Sequence, residues 1–378
     1  MADDNIFVLG VGNTDYPADA RETRQGARLN PYALAARALK RALADAAMAK
    51  AEIDGIVVGG QLVYERFAEI VGNLTHYGGV GDCSTVIEQA QMAVLTGKCK
   101  NVAVVFALCP RSSRMRFGGR SAAGGDRQLP YTYHNRVGLT SQGALYAMVA
   151  RRHMAVYGTT EEDWGVFSCG VHNNATPNVQ AHERDPLTVD DYMALRYIAE
   201  PLRRPDYCLM NDGAVSMIFS GIPRGPHPVR LGYVGRQDDL KDATQLRSRM
   251  DFYHENLAAV AESFREANGF GVGDVDFLEV YDSFSVHIPL ALEGLGIVGY
   301  GEAASYVRDK GISATSEFPV NPSGGHLAEA YMQGWNHQVD AVRQVRGDAT
   351  GAQVPGAQRG VYLSSAVGRT SLHLYERV

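Results

Sequence analysis

Four short stretches gather side chains that could do chemistry. Gly78-Gly-Val-Gly-Asp-Cys-Ser-Thr85 sets Cys83 at the mouth of a helix, and Met210-Asn-Asp-Gly-Ala214 forms a second polar turn. Tyr281-Asp-Ser-Phe284 follows a strand, and Asn321-Pro-Ser-Gly-Gly325 runs into His326 and Tyr331. A thiol at a helix N-terminus is depressed in pKa and becomes a nucleophile toward acyl groups, although a lone cysteine is more often buried and inert. A phenol, with a reference pKa of about 10, is a poor base unless nearby donors lower it. It also serves as a hydrogen-bonded acid toward a developing oxyanion. Ser323, Gly324 and Gly325 could offer backbone N–H groups to an anionic oxygen, or simply form a tight turn. Asp282 orients Tyr281 or caps a turn. His287, in Ser285-Val-His-Ile-Pro289, reads as a pocket or core histidine, and His326 is placed to approach a bound group. Without further context, Tyr281 reads as a packed aromatic at a strand end and Tyr331 as a helix-face aromatic.

The elements that must position these residues read as one unit written twice. Residues 6–12 form a short apolar strand. Asn30 and Pro31 then cap and open a helix over 32–48, and 54–59 form a second strand. Strand 229–235, helix 255–267 and strand 274–280 repeat that order, and Ala51-Glu-Ile-Asp-Gly-Ile-Val-Val58 parallels Gly273-Asp-Val-Asp-Phe-Leu-Glu-Val280. Each half closes alike. Helix 87–96 ends at Gly97 before strand 101–106, and helix 327–346 ends at Gly347 before strand 360–364. Alternating strands and helices call for a mostly parallel sheet covered by helices. The expected fold class is therefore α/β: two duplicated halves, residues 1–225 and 226–378, in a five-layered α/β/α/β/α body. Residues 110–222, with an Arg- and Gly-rich loop over 111–127 and a helix over 141–157, form an insertion covering the site. Strand 101–106 is expected near a sheet edge that needs covering.

Composition excludes several classes. The 378 residues are 45% hydrophobic and 21% charged, as in ordinary globular chains. A net charge of -6 offers no field for phosphate backbones, so nucleic acid is not an expected partner. The five cysteines are scattered without a CxxC, which fits reduced thiols and argues against a zinc site in this chain. No run is long and apolar enough for a membrane span, and the acidic N-terminus lacks a signal pattern, so a cytoplasmic protein is expected.

The duplicated pattern and the four motifs together resemble the thiolase superfamily, and within it the lipid-transfer-protein-like (SCP-x type) branch that includes acetyl-CoA acetyltransferases. The resemblance covers nearly the whole chain and is weakest across 110–140. Aligned from Ala90 and Gly97, the thiolase nucleophile falls on Val80, with Cys83 one turn further on, so the resemblance implies a nucleophile that is absent. Gly79 and Val80 then line the substrate or oxyanion site with Ser323, Gly324 and Gly325. Tyr281 stands where the family has an Asn or His that orders an oxyanion-hole water, and Tyr331 where it has a His. Ser364-Ser365-Ala366-Val367-Gly368 lacks the usual second cysteine.

This Tyr/Tyr version is similar to the thiolase-like aldolases of steroid side-chain degradation. It implies a lyase of lipid metabolism that performs retro-aldol cleavage of a β-hydroxyacyl-CoA, such as a steroid side-chain CoA thioester. The products would be a ketone and a short acyl-CoA such as propionyl-CoA. Two alternatives stand beside it: a Claisen-type acyl-CoA thiolase or acyltransferase using Cys83, and a non-catalytic acyl-CoA- or lipid-binding subunit. Arg111, Arg114, Arg116 and Arg120 could meet CoA phosphates or form a solvated loop. The resemblance further implies a homodimer and a small separate partner combining a zinc ribbon and an OB-fold. That partner would carry the zinc, leaving this chain with no metal and no covalently bound cofactor.

Overall fold

A computed structural model describes residues 5–115, 139, 141–238, 254–366 and 369–378. Arg116 and Arg120, most of the Arg- and Gly-rich loop, and Val367 and Gly368 of the last motif lie outside the described residues.

The first half begins with β1 (Phe7–Asn13) and α1 (Tyr16–Arg24), followed by α2 (Pro31–Asp45). Asn30 caps α2 as its sequence promises: Oδ1 accepts N–H groups from Tyr32 at 2.8 Å and Ala33 at 3.3 Å. The buried face of α2 is Leu34, Ala35, Ala38, Leu39, Ala42 and Leu43. Its alanines allow a close approach to β1, and the glycines of β1 complete it. A Cβ on Gly12 would stand 2.5 Å from Ala38 O and Ala42 N, and one on Gly10 would overlap the Ala42 carbonyl. There follow β2 (Gly55–Gly60), α3 (Tyr64–Val71), β3 (Tyr77–Val80), α4 (Thr85–Leu95) and β4 (Asn101–Leu108). The insertion supplies α5 (Gln142–Tyr157), α6 (Glu161–Asn174), α7 (Val189–Ala194) and a hairpin of β5 (Tyr197–Ala199) and β6 (Leu202–Arg203). Strand β7 (Gly213–Ser220) returns to the sheet.

The second half runs β8 (Val229–Asp238), α8 (His254–Asn268), β9 (Phe277–Val280), α9 (His287–Gly294) and α10 (Ala303–Lys310). It ends with a π-helical turn at Gly325–Glu329, α11 (Trp335–Arg346), β10 (Arg359–Ala366) and β11 (Arg369–Arg377).

Strand order shows the repeat directly. Among the described residues nine strands pair as β3-β2-β4-β7-β1-β8-β11-β10-β9. From the middle outward, β1 meets β7 antiparallel, β7 meets β4 antiparallel and β4 meets β2 parallel. Likewise β8 meets β11 antiparallel, β11 meets β10 antiparallel and β10 meets β9 parallel. Even the outer partner recurs, since the parallel β2–β3 pair is matched by a parallel bridge from Leu278 to Val320. Among the described residues the two runs join where Phe7 lies opposite Arg230 and Val8 opposite Val229, and Leu231 N–H donates to Ile6 O at 2.8 Å.

Side chains sort the layers with period two. In β4, Val102, Val104, Phe106 and Leu108 enter the core shared with α4 and α11, while Ala103, Val105 and Ala107 enter the core under α2 and α3. In β10, Tyr362 faces α11, and Val361 and Leu363 face the core holding α8, α9 and α10. Helices α4 and α11 thus form the middle of five layers. The insertion helices α5 and α6 place Tyr146, Ala150, Trp164 and Phe167 in the outer core of the second half. No helix among the described residues is long and apolar enough to cross a membrane.

Three expectations are corrected. The sheet expected to be mostly parallel has five antiparallel pairings and three parallel ones among the described residues, because β7, β1, β8 and β11 at its centre each run antiparallel to their neighbours. The strand expected near an edge is interior: β4 pairs with β2 on one side and β7 on the other, and the outermost strand of that half is β3. The helix expected over 327–346 is interrupted, and α11 begins only at Trp335. Ala330 is extended (φ -168°, ψ 143°), and Gln333 and Gly334 have positive φ, so the helical ladder cannot run through.

The α2–β1 contact predicts that Gly12→Ala lowers unfolding stability by about 1–3 kcal/mol through overpacking against helix backbone. Gly273→Ala, where an added Cβ meets nothing within 4 Å, should stay within about 0.5 kcal/mol of the parent. Thermal or denaturant unfolding of the two variants checks this, and equal effects would contradict it.

Candidate active site

Tyr281 directly follows β9, where its N–H donates to Leu363 O at 2.8 Å and continues the ladder with β10. Tyr331 lies on the interrupted stretch between the π turn and α11. Its N–H donates to Asn211 Oδ1 at 2.7 Å, and Gly334 N–H donates to His326 Nε2 at 2.8 Å. These anchors bring the two hydroxyls to 3.1 Å. Gly334 is required here, because a Cβ would collide with the Tyr362 hydroxyl and press on Tyr281. Gly325, at φ +53°, likewise leaves room for the Asp282 carboxylate. Both site tyrosines keep part of their surface open, while the groups behind them are buried.

Behind the phenols lies a dry polar network. His337 donates from Nδ1 to Glu279 at 2.8 Å and from Nε2 to Asp282 Oδ1 at 2.9 Å. Burial works against its cation, but Asp282 and then Glu279 outweigh it and lift His337 to about 10. The same Asp282 oxygen accepts the His326 N–H at 2.8 Å. The His326 ring packs edgewise on His337 at 4.3 Å, Tyr281 at 4.7 Å and Tyr331 at 4.9 Å. Burial, then the His337 charge, hold His326 neutral, well below the usual histidine range. Glu329 is raised to about 7 by burial and then by Asp340, and it accepts from Asn178, Ser323 and Asn336. Burial also raises Glu279 and Asp340.

Burial pushes both site phenols up rather than down; the other main contributors are Tyr331 for Tyr281 and the Cys208 thiol for Tyr331. They are therefore a neutral, hydrogen-bonded pair, suited to passing protons and donating hydrogen bonds but not to resting as phenolates.

Asp282, His326 and His337 lie close enough together to be considered as metal ligands. The hydrogen bonding does not fit that use. His326 Nε2 already accepts from Gly334, so its proton sits on Nδ1, 3.4 Å from Asp282 Oδ1, and His337 Nε2 donates directly to the same carboxylate.

The remaining expected residues divide. Cys83 is buried, its sulfur 3.2 Å from the Tyr362 hydroxyl, and burial raises it to about 11. The mouth of α4 does not activate it, because Asp82 Oδ1 takes the Ser84 and Thr85 N–H groups at 3.1 and 2.9 Å. Gly79 and Val80 lie on the edge strand β3, and Val80 is 61% exposed. Among the described residues no hydrogen bond or ring contact joins them to the phenols.

The turn at 323–325 supports the site, but two of its amides are not free to meet a substrate. Gly324 N–H donates to Asn321 O at 2.9 Å, and Gly325 N–H points to Ser323 Oγ at 3.4 Å. His287 is kept neutral, lowered to about 4 by burial. It contacts Ser283 Oγ at 3.2 Å, and its ring lies 6.2 Å from Tyr281. Asp282 caps the Gly325–His326 turn and grips His337.

Sequence reasoning missed His337, Glu279 and Cys208, whereas Asn211 stood in one of the four motifs as a residue shaping the site and here anchors the Tyr331 amide. Glu279 alone carried a signal, an acid inside the apolar strand Phe277–Val280.

Residues 239–373 match the thiolase C-terminal domain-like family. Over 373 residues the chain is 32% identical to the 17-hydroxy-3-oxo-4-pregnene-20-carboxyl-CoA lyase of Mycobacterium tuberculosis, an alignment covering 92% of this chain and 93% of that one. It is 29% identical over 388 residues to the steroid side-chain-cleaving aldolase of Thermomonospora curvata, covering 96% and 95%. Among solved structures, the Ltp2-ChsH2(DUF35) aldolase superposes with a TM-score of 0.86 at 25% identity, covering 100% of this chain and 99% of that one. An acetyl-CoA acetyltransferase from Syntrophomonas wolfei shares the fold at a TM-score of 0.67 and 15% identity.

The His337 clamp has a pH signature. Its folded pKa is raised from 6.5 to about 10, so its contribution to stability is complete below pH 6.5 and disappears as pH rises through about 10. Unfolding temperatures between pH 6 and 10 should fall more steeply for the parent than for His337→Gln. Parallel curves would mean that His337 carries no such charge.

Proposed function

The chain belongs to the thiolase superfamily, in its lipid-transfer-protein-like branch, and from that premise we propose that it is a carbon–carbon lyase performing retro-aldol cleavage of a β-hydroxyacyl-CoA. The observation that carries this reading is the pair of neutral phenols 3.1 Å apart, with the neighbouring Cys83 thiol buried and raised. The substrate's tertiary hydroxyl gives its proton to one phenol as that phenol passes its own proton to the other. The bond between the carbinol carbon and the α-carbon breaks, and its electron pair moves into the thioester enolate. The carbinol carbon becomes a ketone. In the same concerted relay the second phenol, as it receives that proton, delivers its own to the α-carbon that takes up the electron pair, so no phenol oxonium forms and the shorter acyl-CoA is released. Atoms balance without oxidant, reductant or acyl-enzyme, and no phenolate accumulates. The activities of the two full-length relatives favour a steroid side-chain CoA thioester, giving a steroid ketone and propionyl-CoA.

The partners follow from the same reading. Apolar side chains stand exposed around the edge strand: Val80 at 61%, Leu74 at 91% and Met92 at 59%. An unpaired edge flanked by exposed apolar groups supports a homodimer across β3. A separate zinc-ribbon/OB-fold protein is the second proposed partner, and the compound name of the Ltp2-ChsH2(DUF35) aldolase supports a companion chain.

Tyr281→Phe and Tyr331→Phe should each lower release of ketone and acyl-CoA by about 10²–10⁴-fold with folding intact, while Cys83→Ala keeps most activity. An inactive Cys83→Ala beside active tyrosine variants would replace this reading with a Claisen thiolase. For the dimer, Val80→Glu should sediment as a monomer at micromolar concentration where the parent sediments as a dimer. A monomeric parent would remove the proposed interface.

A further inference from the structure

We propose that His326 is a positioning residue for Tyr331, acting through the Gly334 amide to hold residues 330–334 out of a continuous helix. Only the kinetic part of the test below rests on the lyase reading.

The stretch Leu327-Ala-Glu-Ala-Tyr-Met-Gln333 is made of good helix formers apart from Tyr331, and it lies between a π turn and α11. Local preference therefore favours an unbroken helix, in which the Tyr331 and Gly334 N–H groups would reach back to carbonyls one turn earlier. Here both are captured by side chains from elsewhere: Asn211 Oδ1 at 2.7 Å and His326 Nε2 at 2.8 Å. Side-chain acceptors of this kind compete directly with helical hydrogen bonding. Ala330 is consequently extended, and Tyr331 meets Tyr281. In an unbroken helix, residue 331 would lie at a different angle about the axis and the hydroxyl pair would separate.

Capture by His326 requires one tautomer. Nε2 must present a lone pair to Gly334, so the proton belongs on Nδ1, which lies 3.4 Å from Asp282 Oδ1 without a hydrogen bond to it. That oxygen is fixed by the His326 amide at 2.8 Å and by His337 Nε2 at 2.9 Å, and Glu279 holds the far side of His337 at 2.8 Å. A cationic His337 with its ring 4.3 Å from His326 disfavours a second cation there. The chain Glu279–His337–Asp282–His326–Gly334 thus runs from a buried strand to the segment carrying Tyr331.

The test compares His326→Leu, which has no acceptor, with His326→Gln, whose side-chain amide can reach the position of Nε2. In His326→Leu, hydrogen–deuterium exchange across 330–335 should rise about tenfold or more while the rest of the chain is unchanged. Turnover should fall about 10²-fold with little change in KM, as expected from a misplaced catalytic group. His326→Gln should restore slow exchange and most of kcat. Unchanged exchange in His326→Leu overturns the proposal. So does a His326→Gln variant with restored protection but the turnover of His326→Leu, since His326 would then act on the substrate itself. If His326→Leu does not fold, Asn211→Ala releases the Tyr331 amide from the other side and must give the same local exchange; continued protection there overturns the proposal. The exchange results stand whether or not the parent cleaves a β-hydroxyacyl-CoA.

Discussion

A histidine cation clamped in a dry interior holds this site together. His337 lies between Glu279 and Asp282 with no solvent access, and Asp340 and Glu329 crowd the same region. Burying such charges is costly, and it is tolerated when each is closely paired; removing one partner typically costs about 3–5 kcal/mol. The elements that supply the charges are therefore tied to one another. Glu279 comes from β9, Asp282 from the turn after it, and His337 and Asp340 from α11. The phenol pair rests on this assembly, because Tyr281 follows β9 and Tyr331 precedes α11.

The architecture explains why such a cluster stays dry. Helix α11 lies in the middle of five layers, with strands of both sheet runs packed against it. The insertion adds cover in an unexpected way. It leaves the first half of the sheet but packs its helices into the outer core of the second half. The segment after β6 then pairs beside the site, Tyr207 bridging to Phe284, Cys208 donating to Ser283 O and Leu209 to His326 O. Asn211, on the same segment, holds the Tyr331 amide. One wall of the second half's site is thus built by residues belonging to the first.

The chemistry follows from the same dryness. An ionised thiol or phenolate is disfavoured in such surroundings. Cys83 moves away from nucleophilic use, and its helix mouth is capped by Asp82. Two neutral phenols in contact need no ionised resting state to move a proton, so burial that would disable a thiolase favours a proton relay.

The sequence alone determined the repeat and singled out the two tyrosines that the fold brings into contact. Strand and helix periods depend on local alternation, and caps such as Asn30 with Pro31 are local chemistry, so β1, α2, β2, β8 and β9 were legible. Glycines beside a motif tyrosine marked where the chain turns. Tertiary structure decided the rest. Strand β4 became interior because β7, about a hundred residues later, pairs with it. The helix expected over 327–346 broke because Asn211 and His326 take its amides, and neither partner is visible in the composition of that stretch. His337 read as one more helical residue until Glu279 and Asp282 met it in space. Propensity is a local quantity, whereas the pairing of buried charges and orphaned amides depends on which distant segments the fold brings together.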